Sequence, residues 1–310
     1  MTVTDWGIVT TAKAPADHVL AFVAHHLGLG AAHVWVHLDD ADDPVAAALG
    51  GIAGVTAVRC DAAYWQAVQG RRPQRHQYRQ ALNAQRVYAQ TGLDWLLHID
   101  VDEFLLADRP VAELLGTAAP GRPIVRVEPW DALHDPGAPD DIYRGRYFRR
   151  PLRRAEDPGL LDDLHGPFAG LLPRGLLGHS AGKCFFRTGI PGLEPSIHSA
   201  RLGGKRLNAG PIEPGLALLH FHAEDPERWL ARLPFRVEQG AYRTLPEVQA
   251  FFREAAPPVL SDFYLRTQVA TPDALSRLSA LGMLREERLD LRAKVAALRH
   301  GRAWLPPVRG

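Results

Sequence analysis

Residues 94–105 read Asp-Trp-Leu-Leu-His-Ile-Asp-Val-Asp-Glu-Phe-Leu, an apolar run that closes on the acids Asp100, Asp102 and Glu103. The run has the length and composition of a buried strand, and in extended chain successive side chains alternate faces. On that geometry Asp100 and Asp102 point the same way, with Val101 turned into the packing between them. Two carboxylates at the end of a hydrophobic strand form a hard-oxygen site for Mg²⁺ or Mn²⁺, which a diphosphate can complete. Glu103 alternates away from the pair and is placed to anchor a nearby basic group. A plain acidic turn after a strand is the competing account of a bare Asp-x-Asp. The flanking Trp95-Leu96-Leu97 and Glu103-Phe104-Leu105 make the pattern far more specific.

Upstream and downstream of this string the first 128 residues alternate strand-like and helix-like segments: 6–11, 17–27, 34–38, 44–49, 55–59, 76–90, 95–99 and 124–128. Such alternation predicts an α/β fold with a mostly parallel sheet and helices on its faces. Ligands of such sheets lie beyond the carboxyl ends of the strands, where Thr11 and Lys13, Asp39, and Asp100 with Asp102 all fall. From residue 130 to about 215 the chain is rich in Gly, Pro and Arg, which predicts loops and an irregular antiparallel section. Helices return at 227–239 and 245–255. A last helix is expected to start at Thr271-Pro272-Asp273 and run through Leu275, Leu284 and Leu298. Its Arg-rich face could meet a membrane surface or a partner, or simply water.

The chain has 310 residues, 46% hydrophobic and 23% charged, which is ordinary for a globular protein able to bury a sizeable core. Thirty-six basic residues against 35 acidic ones leave a formal charge of +1, so no global field argues for nucleic acid. Only four of the basic residues are lysine, so single arginines are weak signals. Cys60 and Cys184 are too few and too far apart for a disulfide framework or a zinc site. With charges breaking up the first twenty residues and no long apolar run, the expectation is a cytoplasmic protein, with peripheral contact at the inner membrane face as the alternative.

The string Trp95-Leu96-x-x-Ile99-Asp100-Val101-Asp102-Glu103-Phe104 resembles the metal-binding segment of family 2-like glycosyltransferases with the GT-A fold, in the branch with a D-V-D-E-F motif. His25-His26-Leu27-Gly28-Leu29-Gly30, leading to Val34-Trp35-Val36, is similar to that family's Y-H-x-x-L-G stretch. Leu218-Leu219-His220-Phe221, followed by Glu227, Arg228 and Trp229, is similar to its L-x-H-Y…E-x-F segment. The likeness spans roughly residues 5–240. It implies a GT-A-type domain over 1–240, with a nucleotide-binding half at 1–128 and an acceptor-side half at 129–240, and a helical extension at 241–310. The chain departs from the pattern at Lys13-Ala14-Pro15, at Asp39-Asp40-Ala41-Asp42-Asp43 and at Glu224-Asp225, where relatives carry Lys-Asn-Glu, Asn-x-Ser-x-Asp and Lys-Ser.

The resemblance implies a metal-dependent glycosyltransferase that moves a sugar from a nucleotide-sugar donor, expected to be UDP-linked, to a glycan or lipid-linked acceptor with inversion. Such chemistry needs the departing diphosphate neutralised by a divalent ion. Asp102 is the first choice of ligand, and Asp100 either joins it or holds the ribose. His220, at the end of an apolar strand, supplies a third ligand, with His222 as the substitute. Thr11, Lys13, Asp39 and Arg79 with Gln80 fall at the nucleotide, and Lys183 with His198 at the phosphate or acceptor side. Candidate general bases are Glu128, Asp131 and Asp135, then Asp162 or Asp163. Asp131 leads because Trp130 beside it could stack on a sugar. Six arginines in 144–154 could clamp a phosphate or a nucleic acid, or sit in a solvated loop. A metal-dependent phosphohydrolase or phosphotransferase and a non-catalytic sugar-nucleotide-binding protein are the alternatives.

Overall fold

The computed structural model describes residues 4–207 and 210–301. The first elements are β1 (Trp6–Ala12), α1 (Ala16–Gly28), β2 (His33–Leu38), α2 (Val45–Leu49), β3 (Val55–Arg59), α3 (Ala62–Gln69) and α4 (His76–Gln90). Then come β4 (Trp95–His98), β5 (Glu103–Ala107), α5 (Val111–Gly116), β6 (Ile124–Ala132), β7 (Tyr147–Arg149) and α6 (Leu160–His165). The strands β8 (Lys183–Arg187), β9 (Leu193–Pro195), β10 (Ala200–Leu202), β11 (Lys205–Arg206) and β12 (Ile212–His220) follow. The chain continues through α7 (Pro226–Glu238), α8 (Pro246–Glu254), α9 (Pro257–Gln268), α10 (Pro272–Ala280), β13 (Leu284–Glu286) and α11 (Leu291–Arg299).

These elements form two compact units: 1–128 with 182–218 and 290–310, and 129–181 with 219–289. In the first unit the sheet runs β6-β8-β4-β1-β2-β3. Strands β1 to β4 are mutually parallel, and β8 is antiparallel to both β4 and β6. This is a mixed α/β fold with a mostly parallel central sheet flanked by helices, as the alternation predicts. A small antiparallel sheet, β11-β10-β9, accompanies it. Buried β-branched and aliphatic side chains make the central strands, with Val9 and Leu96 packing against Ala84, Val87 and Tyr88 of α4. Gly7 has a steric reason: a Cβ there would lie 2.8 Å from the His33 carbonyl oxygen of the neighbouring strand.

In α1 the His25-His26 pair does specific work. His25 Nε2 donates to the Leu105 carbonyl at 2.8 Å, while His26 Nε2 accepts from the Leu105 amide at 3.2 Å. Opposite tautomers follow, because Lys294 Nζ donates to His25 Nδ1 at 2.9 Å and His26 Nδ1 donates to Phe22 O at 2.8 Å. Both rings are buried and held neutral, mainly by desolvation. Strand β5 is thereby hung on α1 through both polar groups of one residue.

The second unit is helical with short antiparallel pairings, β6 to β7 at Asp131↔Arg149 and β7 to β13 at Leu284↔Arg149. Trp229, Tyr242, Phe252 and Phe263 centre its main core. Helix α7 begins where Asp225 accepts from Arg228 N at 2.9 Å, with Pro226 at the first turn.

The expected long final helix is corrected. Thr271 does cap a helix, accepting from Ala274 N at 3.2 Å, but α10 ends at Ala280. Gly282 turns to φ +62° while Met283 N returns to Leu278 O, a left-handed helix stop, and Asp290 at φ 51° precedes α11. The leucine stripe therefore serves three elements rather than one. Among the described residues no helix is long and apolar enough to cross a membrane.

Candidate functional site

The acids of residues 100–103 occupy a turn. Strand β4 stops at His98, and Glu103 N donates to Asp100 O at 3.0 Å, closing a β-turn before β5 begins. Strand alternation therefore does not orient Asp100 and Asp102. Glu103, wholly buried, reaches back so that its Oε2 accepts from Asp100 N at 2.7 Å, and lies 3.2 Å from Lys183 Nζ. It does anchor a basic group. Lys183, also wholly buried at the start of β8, donates to Asp100 Oδ2 at 2.7 Å. Burial by itself would lower the ammonium's pKa, but Asp100 and Glu103 outweigh it and raise it above its ordinary value. The amine is a permanent cation. The other Asp100 oxygen, Oδ1, accepts from Gln80 Nε2.

The second acid of this region, Asp39, follows β2. Arg79 of α4 grips it in a fork, Nε to Oδ1 at 2.7 Å and Nη2 to Oδ2, while Arg72 lies 3.1 Å from Oδ1. Arg79 Nη1 donates to the carbonyls of Pro73 and Gln74. Burial pushes the Asp39 carboxyl up, yet the Arg79 and Arg72 contacts prevail and hold it below its usual value. Thr11, late in β1, accepts from Asn83 Nδ2 at 2.8 Å, and Asn83 in turn accepts from Tyr64 OH at 2.6 Å. Lys13 is exposed and only 3.8 Å from Asp40.

Adjacent residues of α4, Arg79 and Gln80, thus bind the acid after β2 and the acid after β4. In the sheet those strands flank β1, and there the strand order reverses: β2 and β3 lie to one side of β1, β4 to the other. This is the topological switch point of the sheet, where open parallel sheets bind their ligands. His76, in the first turn of α4, is lowered chiefly by burial and is also influenced by both Asp100 and Asp39. Beneath them lies His98 of β4, buried and lowered to about 4 by desolvation and then by Lys183. Its side chain escaped the sequence reading, since a histidine inside an apolar run looks like core.

The second unit holds a different arrangement. Asp131, at the end of β6, is 2% exposed; its Oδ1 lies 2.9 Å from His220 Nδ1 and its Oδ2 accepts from Gly178 N at 3.0 Å. Burial would raise this carboxyl, but the His220 hydrogen bond and charge outweigh it and keep it below its usual value. Gly178 is dictated by contact: a Cβ would meet Asp131 Oδ2 at 2.8 Å and His220 Nδ1 at 3.0 Å. His179 stacks on His220 with ring centroids 5.4 Å apart, and His222 follows at 5.1 Å. His222 Nε2 is 2.8 Å from Tyr242 OH, and burial holds this imidazole neutral. Gly178 and His179 carried no sequence signal, lying in a Gly- and Leu-rich stretch.

Other candidates are accounted for one by one. Asp135 pairs with Arg146 at 2.6 Å, and Glu128 is buried at the end of the first segment of its unit. The Arg285 guanidinium covers the Trp130 ring at 5.0 Å. His198 Nδ1 is 2.9 Å from the Gly182 carbonyl oxygen. Asp162 and Asp163 lie in the first turn of α6. In the Arg-rich stretch, Arg149 is buried against Thr267 O and Gln268, and Arg150 forks onto Glu156 at 2.9 and 2.7 Å. These two arginines are internal braces, neither a clamp nor a solvated loop. Cys60 and Cys184 are buried free thiols.

No family model matches the chain, and no curated protein matches it. Among solved structures it is similar to a CMP-2-keto-3-deoxy-manno-octonic acid synthetase complexed with CTP, at 15% identity and a TM-score of 0.27 over 96% of this chain and 98% of that one. It is also similar to TarS of S. aureus, at 8% identity and a TM-score of 0.29 over 96% and 92%. At such scores the fold assignment rests on the chain's own strand order and register.

Proposed function

We propose that the chain is a metal-dependent glycosyltransferase of GT-A type, taking a nucleotide-sugar donor at the β1 switch point of the first unit. The observation that carries the reading is the pair Arg79 and Gln80, through which one helix gathers the acids after β2 and β4 around β1. Acids gathered at a switch point suit a nucleotide with its divalent ion, because such crevices are where parallel sheets bind them. Asp102, half-buried in the turn, is the proposed ligand. Asp100 is already committed to Gln80 and Lys183, which suits it to holding the turn or the ribose. Thr11 and Asp39 would face the nucleoside, and Arg79 would act through Asp39. The ion, Mn²⁺ or Mg²⁺, would neutralise charge growing on the leaving diphosphate.

In the second unit His220, with Asp131 behind it, is proposed as a metal-binding side chain in its own right. A ligating imidazole characteristically donates its other ring N–H to a carboxylate, which fixes the tautomer and leaves Nε2 as the lone-pair donor. The acceptor's proton then goes to another carboxylate, with Glu128 first in line. Calorimetric titration of UDP and Mn²⁺ tests the reading. Metal-dependent UDP binding that is lost in Asp102→Asn, with the thermal transition unchanged, is expected. UDP binding that persists in EDTA, or undiminished in the variant, would refute the metal assignment.

A further inference from the structure

Away from these acids the second unit contains a pocket of about 350 Å³, lined by residues of the segment after β6 and of α7 and α9, chief among them Trp229, Leu230, Leu260, Tyr264 and Leu265. Its size is within the range of small-molecule sites. Its walls are apolar for a structural reason. The aromatic groups direct their polar ends elsewhere: Tyr264 OH donates to Ala223 O at 2.5 Å, Trp229 Nε1 to Tyr242 OH at 3.2 Å, and His134 Nδ1 to Glu224 O at 2.7 Å, which leaves the Ser261 hydroxyl and the second His134 ring nitrogen as the polar groups of the lining. No charged residue lines the pocket. An ionic group placed inside would lose its hydration without gaining a charged partner.

The mouth is apolar as well. Leu230 is 47% exposed and Leu265 55%, so hydrocarbon continues from the interior to the surface. A compact metabolite would need no such rim, whereas a chain whose head group stays in water does. We propose that this pocket binds the hydrocarbon chain of an amphiphile, with the head group left outside. The pocket's lining belongs to the second unit alone, so the inference stands independently of the glycosyltransferase reading.

Trp229 is the natural reporter, because bromine on a bound chain quenches indole fluorescence by contact. Titration of the whole chain with bromine-tipped fatty acids of increasing length, below their micellar concentrations, is expected to quench the Trp229 component. Affinity should rise about fourfold per added methylene and then level off once the chain outgrows the cavity. Trp229→Phe should abolish the quenching yet retain binding by calorimetry. Leu265→Asp, at an exposed position that leaves the fold intact, should weaken binding at least tenfold, and Ser261→Trp should do so by obstruction. Absence of quenching in the native chain, affinity independent of chain length, or equal affinity in Leu265→Asp and the native chain would overturn the proposal.

Discussion

Two acid clusters, one in each unit, are held in different ways. Around Asp39, Asp100 and Glu103 in the first, the counter-charges are Arg79, Arg72 and Lys183, groups that stay cationic at any ordinary pH. Around Asp131 in the second, the hydrogen-bond partners are an imidazole and a peptide N–H, and the buried Arg149 guanidinium adds only a weaker electrostatic pull. A permanent cation makes a buried acid insensitive to pH but intolerant of losing its partner. An imidazole and an amide make it responsive to pH and dependent on close fit. The difference suits the first cluster to holding a fixed charge pattern and the second to presenting one ring nitrogen.

The largest effect should come from removing the permanent cation. Lys183→Met removes the amine that faces both Asp100 and Glu103, and should destabilise the protein by about 3–5 kcal/mol in denaturant unfolding. A loss below about 1 kcal/mol would break the contrast by showing that the acids do not need the amine. Next is the close fit in the other unit. Gly178→Ala drives a methyl into the Asp131 carboxylate and His220 ring, and should lose about 1–3 kcal/mol.

Titration sharpens the comparison further. The folded Asp131 carboxyl is depressed, so its contribution is fully present above the unfolded value of about 3.9 and is lost as pH falls through the folded one. Asp131→Asn should flatten that acid limb of the stability curve. Glu224, in the same unit, has the opposite sign. Burial, then the charge of Asp225, raises it to about 7, so the fold favours its neutral form and loses stability as pH rises from about 4.3 to about 7. Glu224→Gln should gain stability over that interval and stay level beyond it; an unchanged curve would remove the carboxyl as its source. The smallest stability effect belongs to Asp102→Asn. A half-buried turn residue changed to its amide should shift stability by no more than about 0.5 kcal/mol, even where metal-dependent binding is lost.

How much of this was legible beforehand depends on the range of the interaction. The strands at 6–11, 34–38 and 55–59 and the helix at 76–90 were readable because hydrophobic periodicity is local, and Trp6–Ala12, His33–Leu38, Val55–Arg59 and His76–Gln90 match them closely. Thr271-Pro272 announced a helix start for the same reason. The end of that helix was missed because a leucine stripe keeps its period through Gly282, and only the backbone's left-handed turn there shows the break. Asp100 and Asp102 are legible as acids beyond a strand but their orientation is not, since a strand that stops at His98 leaves the same letters in a turn.

The sequence by itself determined the α/β class, the parallel strands and the acids at their carboxyl ends, because each follows from side-chain periodicity within a few residues. Only the tertiary structure decided the partners. Lys183 meets Asp100 across 83 positions, Arg79 meets Asp39 across 40, and His220 meets Asp131 across 89. Nothing local to a charged residue says which opposite charge the fold will bring to it. Burial decides the rest, for in a low-dielectric interior the partner sets whether a carboxylate is a fixed charge, a titrating group or the orienting neighbour of a histidine.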